Sequence, residues 1–145
     1  MSQLQFEKIT SSKKYITELY NLLTKRNFKI SHVDNITFED HKKFVFNHPY
    51  RNWYIIKIKD KYIGSVYLKY DNSIGINIII KSTVKLIEEI INFIRSLKKP
   101  LSEKKSLRYK DFFINVPSNN QNLKQILLKL GYVKSQSTYI LKNSW

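Results

Sequence analysis

Three strand-like segments follow one another between residues 53 and 80 with only dipeptides separating them. Residues 53–59 alternate, with Trp53, Ile55 and Lys57 set against Tyr54, Ile56 and Ile58. Asp60-Lys61 then supplies a two-residue turn, residues 62–70 a second strand, and Asp71-Asn72 another turn. In residues 73–80, Ile74, Ile76, Ile78 and Ile80 share one face, and the β-branched content is high. Strands joined by two residues pair with each other in antiparallel fashion, because a parallel pair needs a long crossover. The centre of the chain therefore predicts a β-meander.

The flanking segments predict helices and further strands. Residues 5–9 form a short first strand. Ser11-Ser12 caps a helix carrying Tyr15, Leu19, Leu22 and Leu23 at helical spacing and ending near Lys25. Thr37-Phe38-Glu39-Asp40 opens a second helix, which His48-Pro49 stops. After the meander, Ser82 or Thr83 caps a helix to about Leu97 whose buried stripe is Val84, Ile87, Ile90, Ile91 and Ile94. A basic loop covers residues 98–110, a strand 111–116, a helix 120–130 and a final strand 134–142. Gly131 stands where a helix C-terminus favours positive φ. The expected order is β-α-α-β-β-β-α-β-α-β. It describes an α/β (α+β mixed) fold, a mixed, mostly antiparallel central sheet flanked by helices. Residues 1–145 have the length of one domain.

The formal charge of +15 points on its face to an anionic partner. Two facts discount nucleic acid. Only four of the 26 basic residues are Arg, the residue suited to bidentate phosphate contacts, and the basic residues are spread along the whole chain. The chain has no alanine and is dominated by Lys, Ile and Asn, the bias of an AT-rich coding sequence. It has no cysteine, which excludes disulfides and thiolate metal sites and fits a reducing compartment. Met1-Ser2-Gln3-Leu4-Gln5 lacks the pattern of a secretory leader, and apolar runs such as Ile78-Ile79-Ile80 are far short of a membrane span. The expectation is a cytoplasmic protein. His32 and His41 have no companion at metal-ligand spacing and read as surface residues, so no metal site is expected.

Several segments resemble the GNAT superfamily of N-acetyltransferases as a divergent member. Tyr62-Ile63-Gly64-Ser65-Val66-Tyr67-Leu68 resembles the family's second meander strand. Ser73-Ile74-Gly75-Ile76-Asn77-Ile78 resembles the strand on which acetyl-CoA docks. Asn119-Asn120 followed by Leu130-Gly131-Tyr132 resembles the family's late helix. All three glycines, Gly64, Gly75 and Gly131, fall on family glycine positions, and the resemblance covers residues 38–141. A narrower likeness runs from Phe38 to Phe44 and from His48 to Tyr54, toward a subgroup linked to bacterial surface-sugar biosynthesis. In that subgroup the acceptor is an amine on a nucleotide-linked sugar.

The resemblance implies an acetyl-CoA-dependent N-acetyltransferase acting on a small amine, an amino-sugar nucleotide among the candidates, and is compatible with an oligomer. It assigns the cofactor arm to Ile76, Asn77 and Ile78 and to Asn120. It assigns the pyrophosphate to the junction holding Lys81, Ser82 and Thr83. That junction has no glycine and is shorter than the family's loop. Ser82 or Thr83, and Asn120, also read as ordinary helix caps, and Lys81 as a solvated lysine. Leu127 stands where many relatives carry a proton-donating tyrosine, and Tyr139 on the expected last strand is its candidate replacement. On the acceptor side His48 reads as a candidate base, with Tyr50, Arg51 and Trp53 holding a phosphate and stacking a base or sugar. The alternative reading of that segment is a Pro49 turn, a core Trp53 and a solvated Arg51. The basic loop could meet the 3′-phosphate of CoA, or be a solvated loop. The departures at residues 79–83 and at Leu127 support a competing reading, a catalytically degenerate domain serving as a binding or partner module.

Overall fold

The computed structural model describes residues 3–25 and 36–142. His32 lies outside the described residues. The order is β1 (Leu4–Lys8), α1 (Lys13–Thr24), α2 (Phe38–Phe46), β2 (Asn52–Ile58), β3 (Lys61–Leu68), β4 (Ser73–Ile78), α3 (Val84–Leu97), β5 (Phe113–Ile114) and α4 (Gln121–Lys129). One mixed sheet runs β1-β2-β3-β4-β5. Every pair is antiparallel except β4 with β5, which is parallel. The expected mixed fold with a central meander is therefore present.

The caps follow from side-chain chemistry. Ser12, Thr37 and Thr83 each accept a hydrogen bond from the amide three residues on, which satisfies one orphan N–H at each helix start. Thr83, not Ser82, caps α3. The β2–β3 turn falls at Lys59-Asp60, one residue earlier than expected, with Lys59 at φ 53°. A register shift at Ile56/Lys57 marks a bulge between the same two strands.

The sheet separates two apolar layers. On one face Trp53 and Ile55 pack with Ile9 and with Ile16, Leu19 and Leu22 of α1 and Val45 of α2. On the other, Ile56, Val66, Leu68 and Ile74 pack with Ile90 and Ile94 of α3, where the Phe6 and Phe93 rings stack at 3.8 Å. A third group joins Ile87 and Ile91 of α3 to Leu123, Ile126 and Leu127 of α4.

Three expectations need correction. Residues 134–142 form no strand. Residues 134–138 are all polar or charged, so neither face of a strand there would bury apolar area to offset its ordering. The strand expected over 111–116 shrinks to Phe113–Ile114, because β5 pairs with β4 only at Ser73 and Ile74. His41 is not a surface residue: it is 6% exposed and clamps α2 to α1, its ring Nε2 lying 3.0 Å from the Ile16 carbonyl. That carbonyl is an acceptor only, so Nε2 carries the proton and donates.

Candidate active site

The segment 47–51 carries the chain from the end of α2 into β2 and sets a group of rings over the sheet. The strand registers put Trp53 of β2, Tyr67 of β3 and Gly75 of β4 in one row across the α1/α2 face. A Cβ on Gly75 would overlap the Tyr67 ring, so glycine here is what lets that ring cross the strand. Tyr50 stacks on Tyr67 with centroids 4.0 Å apart and planes 6° from parallel. Trp53 stands edge-on to Tyr50 at 5.0 Å, to His48 at 5.1 Å and to Phe44 at 5.9 Å. Trp53 is buried, and its indole N–H has no hydrogen-bond partner among the described residues.

Thus His48, Tyr50 and Trp53 come together as expected from their closeness in sequence. Arg51 turns away from them, its Nη1 donating to the Lys99 carbonyl at 3.0 Å. Phe44 and Tyr67 complete the group and were not foreseen. Gly75 was the available signal, since a glycine inside a strand marks close approach, but the approaching ring is known only once the register is.

His48 accepts the Tyr50 backbone N–H on Nδ1, at 3.2 Å. Burial pushes its pKa below the ordinary imidazole value, so the ring is neutral near pH 7. With Nδ1 engaged as acceptor, the proton sits on Nε2. In this tautomer His48 presents a donor, and acting as a base through Nε2 would require a tautomer exchange.

The candidate cofactor residues gather on the other side of β4. β4 pairs with β3 along Ile74–Ile78, but with β5 only at its first two residues. Ser73 and Ile79 bond toward β3 (Lys69 N to Ser73 O at 2.9 Å, Ile79 N to Ile63 O at 2.9 Å), while the Asn72 carbonyl accepts from Phe113 of β5. Alternation then directs the backbone groups of Ile76 and Ile78 to the edge of β4 beyond its pairing with β5. Asn77 faces the other way and pairs with Ser65 of β3. At this end of the sheet Asn122 Nδ2, in the first turn of α4, donates to the Ser82 carbonyl just before α3, at 3.0 Å. The N-termini of α3 and α4 therefore lie side by side, with no acidic residue in either first turn. Lys81 is exposed beside them.

Thr83 and Asn120 act as caps: Thr83 Oγ1 accepts from Leu86 N and Asn120 Oδ1 from Leu123 N, each at 3.2 Å. Leu127 is 8% exposed and belongs to the α3/α4 core. Tyr139 is not brought to either group; it is 91% exposed in the segment that forms no strand.

The basic loop is anchored, which the sequence did not reveal. Asn72 is fully buried at φ 75°. Its Nδ2 donates to the carbonyls of Leu101 at 2.9 Å and Tyr109 at 2.6 Å, and its Oδ1 accepts from Leu101 N at 2.8 Å. Arg108 adds bonds to the carbonyls of Ser102 and Tyr70. Within the loop Lys104 and Arg108 pair across a tight turn. A cleft of about 260 Å³ lies elsewhere, lined by Glu18, Leu22, Asp60 and Tyr62 among others, and touches neither group of candidate residues.

No family model and no curated protein matches the chain at the level of sequence. Solved structures do. The chain is similar to the aminoglycoside N-acetyltransferase AAC(6')-Iy in complex with CoA, with a TM-score of 0.61 and 9% identity over 100% of this chain and 97% of that one. It is similar to a dodecameric spermidine N-acetyltransferase from Vibrio cholerae, with a TM-score of 0.60 and 16% identity over 94% and 82%. It is also similar to an integron cassette protein from the mobile metagenome of V. cholerae, with a TM-score of 0.59 and 8% identity over 99% and 95%. The chain has the mixed α/β fold of the GNAT acetyltransferases, as the resemblance implied. At these identities the likeness is one of fold, and fold does not fix activity.

Proposed function

We infer that the chain is an acetyl-CoA-dependent N-acetyltransferase acting on a small amine. The observation that carries this reading is that pairing of β4 with β5 ends at Ile74, which leaves the backbone of Ile76 and Ile78 without a strand partner on that edge, on a strand that leads to two adjacent helix N-termini. The open strand edge suits the amide-bearing arm of CoA. Orphan N–H groups and helix dipoles favour an anion at the α3/α4 end, and Lys81, Ser82 and Thr83 stand there in place of a glycine loop. The acetyl group would then lie near Asn77.

The amine approaches from the opposite face of β4, over Tyr50, Tyr67 and Trp53. It must be neutral to attack the thioester carbonyl, and the CoA thiolate takes a proton as it leaves. His48, neutral with a proton on Nε2, suits the role of a donor to developing negative charge. Tyr139 remains a candidate acid only if its segment is repositioned. The acceptor suited to this platform is one whose base or sugar stacks on the rings, such as an amino-sugar nucleotide. On this reading the protein works in the cytoplasm.

The test is calorimetric titration with acetyl-CoA, followed by CoA release assayed with an amino-sugar nucleotide, an aminoglycoside and spermidine. Binding plus turnover with the first acceptor supports the full reading. Absence of binding at millimolar acetyl-CoA removes it. A second reading has one specific observation in its favour: Leu127 fills core where a proton donor would stand. A degenerate binding module would take up CoA or an acceptor without any turnover.

A further inference from the structure

One corner of the molecule collects cations that neither group of candidate residues uses. The basic loop is tied by Asn72 to the β3–β4 turn, at one end of the sheet. Residues 69–72 and 98–111 together carry seven Lys or Arg against three carboxylates, those of Asp71, Glu103 and Asp111. Asp71 is taken up by its own turn, accepting from Ser73 N at 2.9 Å and Ser73 Oγ at 2.6 Å. Arg108 is spent on holding the corner together, with Nε on the Ser102 carbonyl at 2.7 Å and Nη1 on the Tyr70 carbonyl at 3.4 Å. The cations that face solvent in the loop are therefore lysines: Lys98, Lys99, Lys104, Lys105 and Lys110 are all exposed. Between Lys104 and Arg108 the chain reverses in a tight turn, with Ser106 at φ 66°. Leu107 in that turn is 78% exposed, and Tyr109 and Tyr70 are each more than half exposed.

We propose that this corner docks on the surface of an anionic lipid bilayer. Leu107 enters the interface, the tyrosines lie at its boundary, and the lysines meet the headgroups. The make-up of the corner favours a bilayer over a nucleic acid. Lysine is a hydrated point charge suited to a diffuse negative field, whereas phosphates read one by one favour free Arg forks, and Arg108 is engaged internally. An exposed leucine adds little to phosphate binding but gains by leaving water. The bonds of Asn72 also hold like charges close together, and an anionic surface relieves their repulsion. Salt screens this attraction, so docking weakens as salt rises. The inference does not rest on the acetyltransferase reading.

The test is co-sedimentation of the full chain with vesicles of phosphatidylcholine alone, and of phosphatidylcholine mixed with phosphatidylglycerol, at low and high salt. The expected result is binding to the mixed vesicles only, lost at high salt. Lys104→Gln combined with Lys105→Gln is expected to weaken binding about tenfold or more, and Leu107→Gln about threefold or more. Lys25→Gln combined with Lys61→Gln removes the same charge beside the cleft at the other end of β3. That pair should change binding by less than about twofold, since it lies away from the docked surface. All five side chains are exposed, so each variant should keep the parent's thermal midpoint. Four results would each overturn the proposal. One is no binding to the mixed vesicles at low salt. Another is equal loss from the two lysine pairs, which would make binding a property of net charge alone. A third is binding indifferent to Leu107→Gln. The last is a short single-stranded RNA that binds more tightly than the vesicles and needs the same lysines, which would give the corner to nucleic acid.

Discussion

The two sides of β4 are built differently. Toward β3, β4 is paired along Ile74–Ile78, and the strands pair in sequence from β1 through β4 with one bulge, at Ile56/Lys57. Toward β5, pairing stops after two residues, β5 ends, and residues 133–142 form an exposed tail without regular structure. The first side is a platform that holds rings in place. The second is a strand edge that runs past its pairing toward helix ends. In the proposed function the platform carries the acceptor and that edge carries the cofactor, so β4 is the partition across which the acetyl group passes.

The largest test of this contrast compares two isoleucines. Ile90 is fully buried beneath the platform, and Ile140 is exposed in the tail. Ile90→Ala is expected to cost about 3–4 kcal/mol, because removed methyl groups leave a cavity in a packed layer. Ile140→Ala should stay within about 0.5 kcal/mol in dilute, low-salt solution. Urea unfolding measures both, and similar costs would mean that the tail packs in the single copy.

Asn72 stands at the hinge between the two sides. Asn72→Ala removes three hydrogen bonds of a buried amide and leaves Ala in a left-handed conformation, so a loss of about 2–4 kcal/mol is expected. Hydrogen exchange should quicken at residues 98–110 and leave the meander slow. An unchanged loop would show that Asn72 is not its anchor. The third test addresses the platform alone. Gly75→Ala drives a methyl into the Tyr67 ring, at an expected cost of about 1–3 kcal/mol. It should also alter the near-ultraviolet dichroism of Trp53, read in a Trp145→Phe background. A spectrum identical to the parent's would show that the Tyr50–Tyr67 stack does not depend on the glycine.

What the sequence made legible follows the same division. Alternation and dipeptide turns are local, so the meander could be read directly. So could the closeness of His48, Tyr50 and Trp53, which are sequence neighbours. The length of β5 depends on partners that no local pattern encodes, whereas the polar run 134–138 was a local sign against a final strand. Tyr67 and Asn72 escaped for a related reason. Tyr67 acquires its place from the register of three strands, and Asn72 from a loop that closes on it from 29 and 37 residues away. Arg51 looked like part of the ring group because of its position, yet its side chain reaches residue 99 instead.

The smallest effect is a pH dependence with a definite sign. Burial lowers the pKa of His41 and of His48 below the ordinary 6.5, and for His41 the bond to the Ile16 carbonyl opposes but does not cancel this. The unfolded chain therefore takes up protons first as pH falls. The stabilisation is fully present above about pH 6.5 and is lost as pH falls through the lower folded values. Carboxylates act in a separate, more acidic window. Burial raises the pKa of Glu7 and Asp71, but the Tyr62 and Tyr15 hydroxyls with Lys57 and Lys14 at Glu7, and the Ser73 hydroxyl and backbone N–H bonds with Lys69 at Asp71, together outweigh it, and both end below their ordinary 4.5 and 3.8. Their contribution holds above those values and disappears below them. His41→Gln keeps an N–H for the Ile16 carbonyl but cannot take a proton. It should flatten the stability profile as pH falls below about 6.5, to about half if His48 contributes equally. An unchanged slope above pH 5 would mean that His41 takes up a proton as readily in the folded protein as in the unfolded one, and that the α1–α2 layer is not closed around it.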